Sequence, residues 1–141
     1  MTIPLSTFFG APHRLDPTAG QLAMLGVPFD GLATERHGSA EAPAALRAAS
    51  QQIGQYRVST GRTIEWSGRL IDLGAVATNR FDLYSSFEPI RQAVDRGLAN
   101  GGRTLTVGGD HSLTYAAVTA AAQHHPGLRL VQVDAHHDAT D

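Results

Sequence analysis

Apolar and polar positions run along this chain in blocks, and the period changes from block to block. Four short stretches are almost continuously apolar: QLAMLGVPFD at 21–30, RLIDLGAV at 69–76, the first part of RTLTVGGDHS at 103–112, and LRLVQVDAH at 128–136. Apolar runs of that length, closed by glycine or proline, predict buried strands. The intervening stretches have helical spacing. Leu46, Ala49 and Ile53 fall on one face of a helix that Ser39 can cap, with Pro43 in its first turn. Ile90, Val94 and Leu98 mark a second helix, starting near Ser85-Ser86, where Ser85 and Glu88 have the capping-box spacing; Gly101-Gly102 stop it. LTYAAVTAAAQHH at 113–125 predicts a third. Residues 1–20, with three prolines and two glycines, read as an irregular lead-in, and Gly61 to Gly68 as a loop.

Strands and helices thus alternate. Near-continuously apolar strands in that order predict an α/β chain with a parallel sheet and helices on its faces. Ligands of such sheets gather beyond the carboxyl ends of the strands. At 141 residues the chain is expected to be one domain with a sizeable core. The net charge of −2 argues against a nucleic-acid partner or an anionic membrane surface. Cysteine is absent, which excludes disulfides, thiolate–zinc sites and a cysteine nucleophile. MTIPLSTFFG lacks the basic and long apolar regions of a secretory signal, and no stretch approaches the roughly 20 apolar residues of a membrane span. A cytoplasmic location is the expectation.

Two of the strand ends carry chemistry. Gly108-Gly109-Asp110-His111-Ser112 follows the third strand. It reads either as a glycine turn in which Asp110 or Ser112 caps the next helix, or as a close backbone approach that aims His111 into the crevice. Asp134-Ala135-His136-His137-Asp138 follows the fourth. Asp134 directly succeeds an apolar run, and a carboxylate there needs a partner or a cation. In extended backbone Asp134, His136 and Asp138 point to one side. Imidazole and carboxylate donors together suit manganese, iron or zinc. The other reading of this string is a solvated polar loop.

Together, GGDHS and DAHHD resemble the first two metal motifs of the ureohydrolase family, which includes arginases, agmatinases and guanidinobutyrases. GVPFD at 26–30, APAALR at 42–47 and DLGAV at 72–76 resemble the N-terminal half of the same family. The resemblance implies a three-layer α/β/α, arginase-like fold, truncated after about the fourth strand, so that residues 1–141 are the N-terminal portion of a single domain. It implies two Mn2+ ions per complete site. His111 would bind one with Asp134 and Asp138; His136 would bind the other, and Asp134 would bridge them. No side chain is assigned as a catalytic group, because metal-bound hydroxide would attack the guanidinium carbon and release urea. The implied partner is a small guanidino substrate, and a homo-oligomer is implied for the full-length protein.

The family's third metal motif, Ser-x-Asp-x-Asp, does not occur in these residues. Asp134 and Asp138 alone supply −2 against the +4 of two divalent ions, so the 141-residue chain by itself is expected to bind metal weakly and to hydrolyse nothing. Arginases often carry asparagine near the position of Thr140, so an agmatine-like substrate or a guanidino acid fits better than arginine. Three alternatives stand beside this reading: another metal hydrolase, such as a metallophosphoesterase or an arginase-like deacetylase; an inactive fragment or pseudoenzyme; and an interaction module. His137, His124 and His125 are expected at the surface, Arg36-His37-Gly38 in a loop, and Trp66 in packing.

Overall fold

The first apolar run forms the middle strand of a three-stranded parallel sheet in the computed structural model of the chain, which describes residues 6–53, 56–64, 66–136 and 138. In chain order the elements are β1 (Leu22–Val27), α1 (Ala42–Ser50), β2 (Tyr56–Arg57), β3 (Arg62–Thr63), β4 (Leu70–Ala75), α2 (Leu83–Leu98), β5 (Arg103–Gly108) and α3 (Leu113–His124). The sheet order is β4-β1-β5. Leu22 to Val27 register with Arg103 to Gly108 on one side, and Leu22 to Met24 with Leu70 to Asp72 on the other. None of the described helices is long and apolar enough to cross a membrane.

Side-chain alternation along the strands builds two cores and hence three layers. Ala23, Leu25 and Val27 of β1 and Ile71 and Leu73 of β4 face α2 and α3, against Ile90, Ala93, Val94, Leu113 and Ala116. Met24 and Leu70 face the opposite side, where Phe8 and Ala11 of the lead-in pack with Phe9 and Trp66. Each fully buried Leu or Ile contributes roughly 1.5–3 kcal/mol. The irregular lead-in is therefore part of the core, with Phe8 wholly buried.

Several elements depart from the sequence pattern. The predicted α1 face of Leu46, Ala49 and Ile53 is wrong: Leu46 is 46% and Ile53 58% exposed, and α1 buries Pro43, Arg47 and Ser50 instead. The cause is Asp72, a carboxylate within the apolar β4 that draws a guanidinium from the helix above it. Ser39 opens a short 3-10 turn rather than capping α1. Helix α2 begins at Leu83, capped by Asp82, whose Oδ1 accepts from the Ser85 amide at 3.1 Å. Glu88 binds Arg91 and Gln92 instead of closing a capping box. The expected loop at 61–68 contains β3, which pairs with β2 as a short antiparallel hairpin.

The largest departure is the fourth strand. Among the described residues, 128–136 pair with no strand, and Val131 is 82% exposed. Extended apolar backbone needs a neighbour to satisfy its N–H and C=O groups. Without one in register, the segment stays irregular and solvated.

Candidate metal centre

The chain leaves β1 through α1 toward β4, then crosses back through α2, on the opposite face, to β5. The direction of winding reverses between β1 and β5, and such a switch point is where open α/β sheets leave a crevice for ligands. The turn after β5 enters that crevice by close backbone contact. The Asp110 amide donates to the Phe29 carbonyl at 3.0 Å. A Cβ on Gly109 would lie 2.1 Å from the same carbonyl oxygen, and one on Gly108 would lie 1.9 Å from Leu113 Cδ2. The Gly109 clash is with backbone, so this approach requires a glycine there, whereas at Gly108 the Leu113 side chain would have to move. Asp110 caps nothing through the predicted route; its carboxylate accepts from the Ser112 amide at 3.0 Å and from the Leu32 amide at 2.9 Å.

His111, next in sequence, is 71% exposed and reaches toward the segment after residue 133. Its Nδ1 is 2.9 Å from Asp134 Oδ2 and 3.6 Å from Asp138 Oδ2. The other Asp134 oxygen, Oδ1, accepts the His136 amide at 2.8 Å and lies 3.4 Å from His136 Nδ1. His111, Asp134 and Asp138 each offer one ligating atom within 4.8 Å of the others. All four residues singled out in the sequence thus meet at the carboxyl edge of β5. They do not meet by strand alternation, as expected, because 134–136 bend and Asp138 takes a left-handed φ of 49°. Gln132 braces the bend, donating to Asp138 Oδ2 at 3.0 Å and to the His136 carbonyl at 3.2 Å. His137 and Thr140 lie outside the described residues.

The Asp134 side chain is only 13% exposed. The His136 amide bonded to it, with the neighbouring His111 and His136 rings, holds its carboxyl below the usual range. A cavity of about 430 Å³ opens in front of the cluster, with Leu32, Ala33 and Thr34 facing His111, Asp134 and His136 across it.

The residues that shape this wall were not read from the sequence as functional. Asp30 ends the β1 run as Asp134 ends the 128–133 run, so the same strand-end argument would have found it. It is 1% exposed; its Oδ2 accepts from the Gly38 amide at 2.6 Å and its Oδ1 from Arg80 at 3.2 Å. The Gly38 bond, then Ala40, Arg80 and His37, lower its pKa. His37 and Gly38, expected in a loop, are there, folded back on Asp30. His124 lies at the surface as expected, with its Nε2 2.7 Å from Asp95 Oδ1. Trp66 packs as expected, 5.3 Å from the Phe9 ring.

Comparison with known proteins bears on the family and the fold. A family model described as the arginase family matches residues 20–141. A mitochondrial agmatinase of Gallus gallus is 39% identical over 119 residues, covering 84% of this chain and 35% of that protein. A guanidinobutyrase of Pseudomonas aeruginosa is 36% identical over 140 residues, covering 97% of this chain and 44% of that protein. Among solved structures, the proclavaminate amidino hydrolase of Streptomyces clavuligerus superposes with a TM-score of 0.70 at 29% identity, covering 89% of this chain and 41% of that one. The chain therefore spans less than half the length of these relatives.

Proposed function

We propose that this chain, which belongs to the arginase family, is the N-terminal portion of a single hydrolase domain that releases urea from a small guanidino compound. The observation that carries the reading is the convergence of His111, Asp134 and Asp138, one ligating atom from each lying within 4.8 Å of the others, on the crevice between β1 and β5. Imidazole nitrogen with carboxylate oxygen is a donor set that fits manganese. Asp134 presents one oxygen to His111 and the other to His136, the disposition expected of a carboxylate shared by two ions, with His111 and Asp138 on one side and His136 on the other. When bound, a manganese pair supplies Lewis acidity that makes water nucleophilic near neutral pH.

The chain's own residues supply the surroundings. The turn at Gly108 and Gly109 holds His111 beside the end of β1, and Leu32–Thr34 line one side of the cavity. The relatives named agmatinase and guanidinobutyrase point to an agmatine-like amine or a guanidino acid as substrate. The test is urea release by metal-stripped full-length protein given agmatine, 4-guanidinobutyrate or arginine, with manganese or zinc restored. Manganese is expected to restore the most activity, and arginine to be the poorest substrate. Hydrolysis of a phosphate ester, or no urea from any guanidine, overturns the assignment. Best recovery with zinc counts against the ligand reading.

The unpaired outer side of β5 among the described residues favours a second reading, in which the 141-residue chain is inactive until joined by further polypeptide. Urea release by the 141-residue chain alone would refute it.

A further inference from the structure

Between the metal turn and the cavity wall lies one side chain whose two oxygens serve both. Asp110 Oδ1 accepts from the Ser112 amide at 3.0 Å and from the Ser112 hydroxyl at 2.5 Å. Asp110 Oδ2 accepts from the Leu32 amide at 2.9 Å. Its own amide donates to the Phe29 carbonyl at 3.0 Å. One residue therefore holds the turn that carries His111, the start of α3, the end of β1 and the loop that walls the cavity. The far end of that loop is held by Asp30, through the Gly38 amide at 2.6 Å and through its own carbonyl, which accepts from the Ala33 amide at 3.2 Å. Leu32, Ala33 and Thr34 hang between the two carboxylates, facing His111 and Asp134 across the cavity.

We propose that Asp110 is a positioning residue that sets His111 and the Leu32–Thr34 wall relative to one another, and so couples metal affinity to substrate affinity. The proposal rests on the reading of the cluster as a metal centre. Asp110 acts through its neighbours: both of its oxygens already accept from Leu32 and Ser112, and it is absent from the group of ligating atoms that meet at His111. The chemistry of its partners makes a carboxylate necessary. Two backbone amides approach from opposite sides, so an acceptor is needed on each oxygen. Asparagine has one acceptor and one donor, and in either orientation it faces an amide N–H with an N–H of its own. Partners of this kind, which orient a ligand without touching the metal, typically matter tenfold or more in affinity or activity.

The test uses the full-length protein as wild type, Asp110→Asn, Asp110→Ala and Ser112→Ala. It combines a manganese titration followed by electron paramagnetic resonance, hydrogen exchange over residues 30–38, and KM and kcat measured separately. In Asp110→Asn, manganese affinity is expected to fall about tenfold, exchange at 30–38 to quicken, and KM to rise along with the fall in kcat. Ser112→Ala keeps the Leu32 bond and should weaken manganese several-fold less, with 30–38 still protected. A melting temperature that drops while manganese affinity, KM and loop exchange hold at wild-type values would reduce Asp110 to a merely structural residue and overturn the proposal. Should Asp110→Asn fail to fold, unchanged manganese affinity in Ser112→Ala overturns it. A wild type that binds no manganese sinks the hydrolase reading and this proposal with it. Normal wild-type binding with unaltered variants sinks this proposal alone.

Discussion

Two carboxylates stand in apolar stretches on either side of β1, and the protein treats them differently. Asp72, in β4, is wholly buried, and the chain itself neutralises it. Arg47 grips it through Nε and Nη2, both at 2.9 Å, while the Phe8 and Gly74 amides donate to it at 2.9 and 2.8 Å. The guanidinium also lies 4.2 Å from the centre of the Phe8 ring. Asp134, beyond β5, has no arginine among its described partners. Its neighbours are two histidines, both largely exposed to water, and a cavity. A carboxylate in an apolar run is therefore no mark of chemistry by itself. The partner decides: an internal arginine makes a structural pin, whereas two exposed histidines and open space leave a carboxylate that a cation can answer.

The sharpest way to break this contrast is at Arg47. Arg47→Ala leaves Asp72 buried with its charge unpaired, and loss of one partner of a buried pair costs about 3–5 kcal/mol. Denaturant unfolding of the full-length protein should show that loss. The double variant Arg47→Met with Asp72→Leu should recover only part of it, because the buried Phe8 and Gly74 amides lose their acceptor. A loss below about 1 kcal/mol in the single variant would mean that the pair is solvated and that the two sides of β1 do not differ as described.

Packing sharpens the same contrast. Leu25 in β1 is wholly buried, so Leu25→Ala should cost about 2–5 kcal/mol. Leu105 in β5 is 46% exposed, and Leu105→Ala in the 141-residue chain should cost less than about 1 kcal/mol. In a protein of its relatives' length, with strands covering β5, the Leu105 cost should rise toward that of Leu25. Equal costs in both contexts would show that nothing further packs on β5.

What was legible in the sequence divides along the same line. The β1, β4 and β5 strands and the three helices follow from period alone, because their apolar faces find partners within the chain. The convergence of His111 with Asp134, His136 and Asp138 was legible from their placement at the ends of two apolar runs, although the second run forms no strand among the described residues. The α1 face was not: helical spacing counts Leu46 as apolar and Arg47 as solvated, and only the buried Asp72 beneath reverses them. The strand at 128–136 was over-read, because hydrophobicity records a readiness to pair and not the presence of a neighbour. The tie between Asp110 and Leu32 was invisible for a third reason: it joins residues 78 apart through a backbone amide, which no side-chain pattern reports.

The smallest predicted effect concerns Asp30, the second buried carboxylate of β1's end, and it is one of pH slope. Its folded pKa is lowered, chiefly by the Gly38 amide and then by Ala40, Arg80 and His37. A carboxylate lowered on folding adds stability at pH above its unfolded value, about 3.9, and that contribution fades as pH falls through the folded value. Wild-type stability should therefore decline in that acid window, and Asp30→Asn, which cannot ionise, should decline less steeply there. Glu88 offers the surface control. Arg91 lowers it to about 2, yet the pair sits in water on α2, where salt screens it and side-chain entropy opposes it. Glu88→Gln should leave the acid slope almost unchanged at moderate salt, although the Glu88 carboxyl is lowered to about 2. Unfolding midpoints of the three proteins across about pH 2–6 decide the matter. If Glu88→Gln flattens the slope more than Asp30→Asn does, then burial at the end of β1 is not what gives that carboxylate its weight, and the wall of the cavity is held by something other than Asp30.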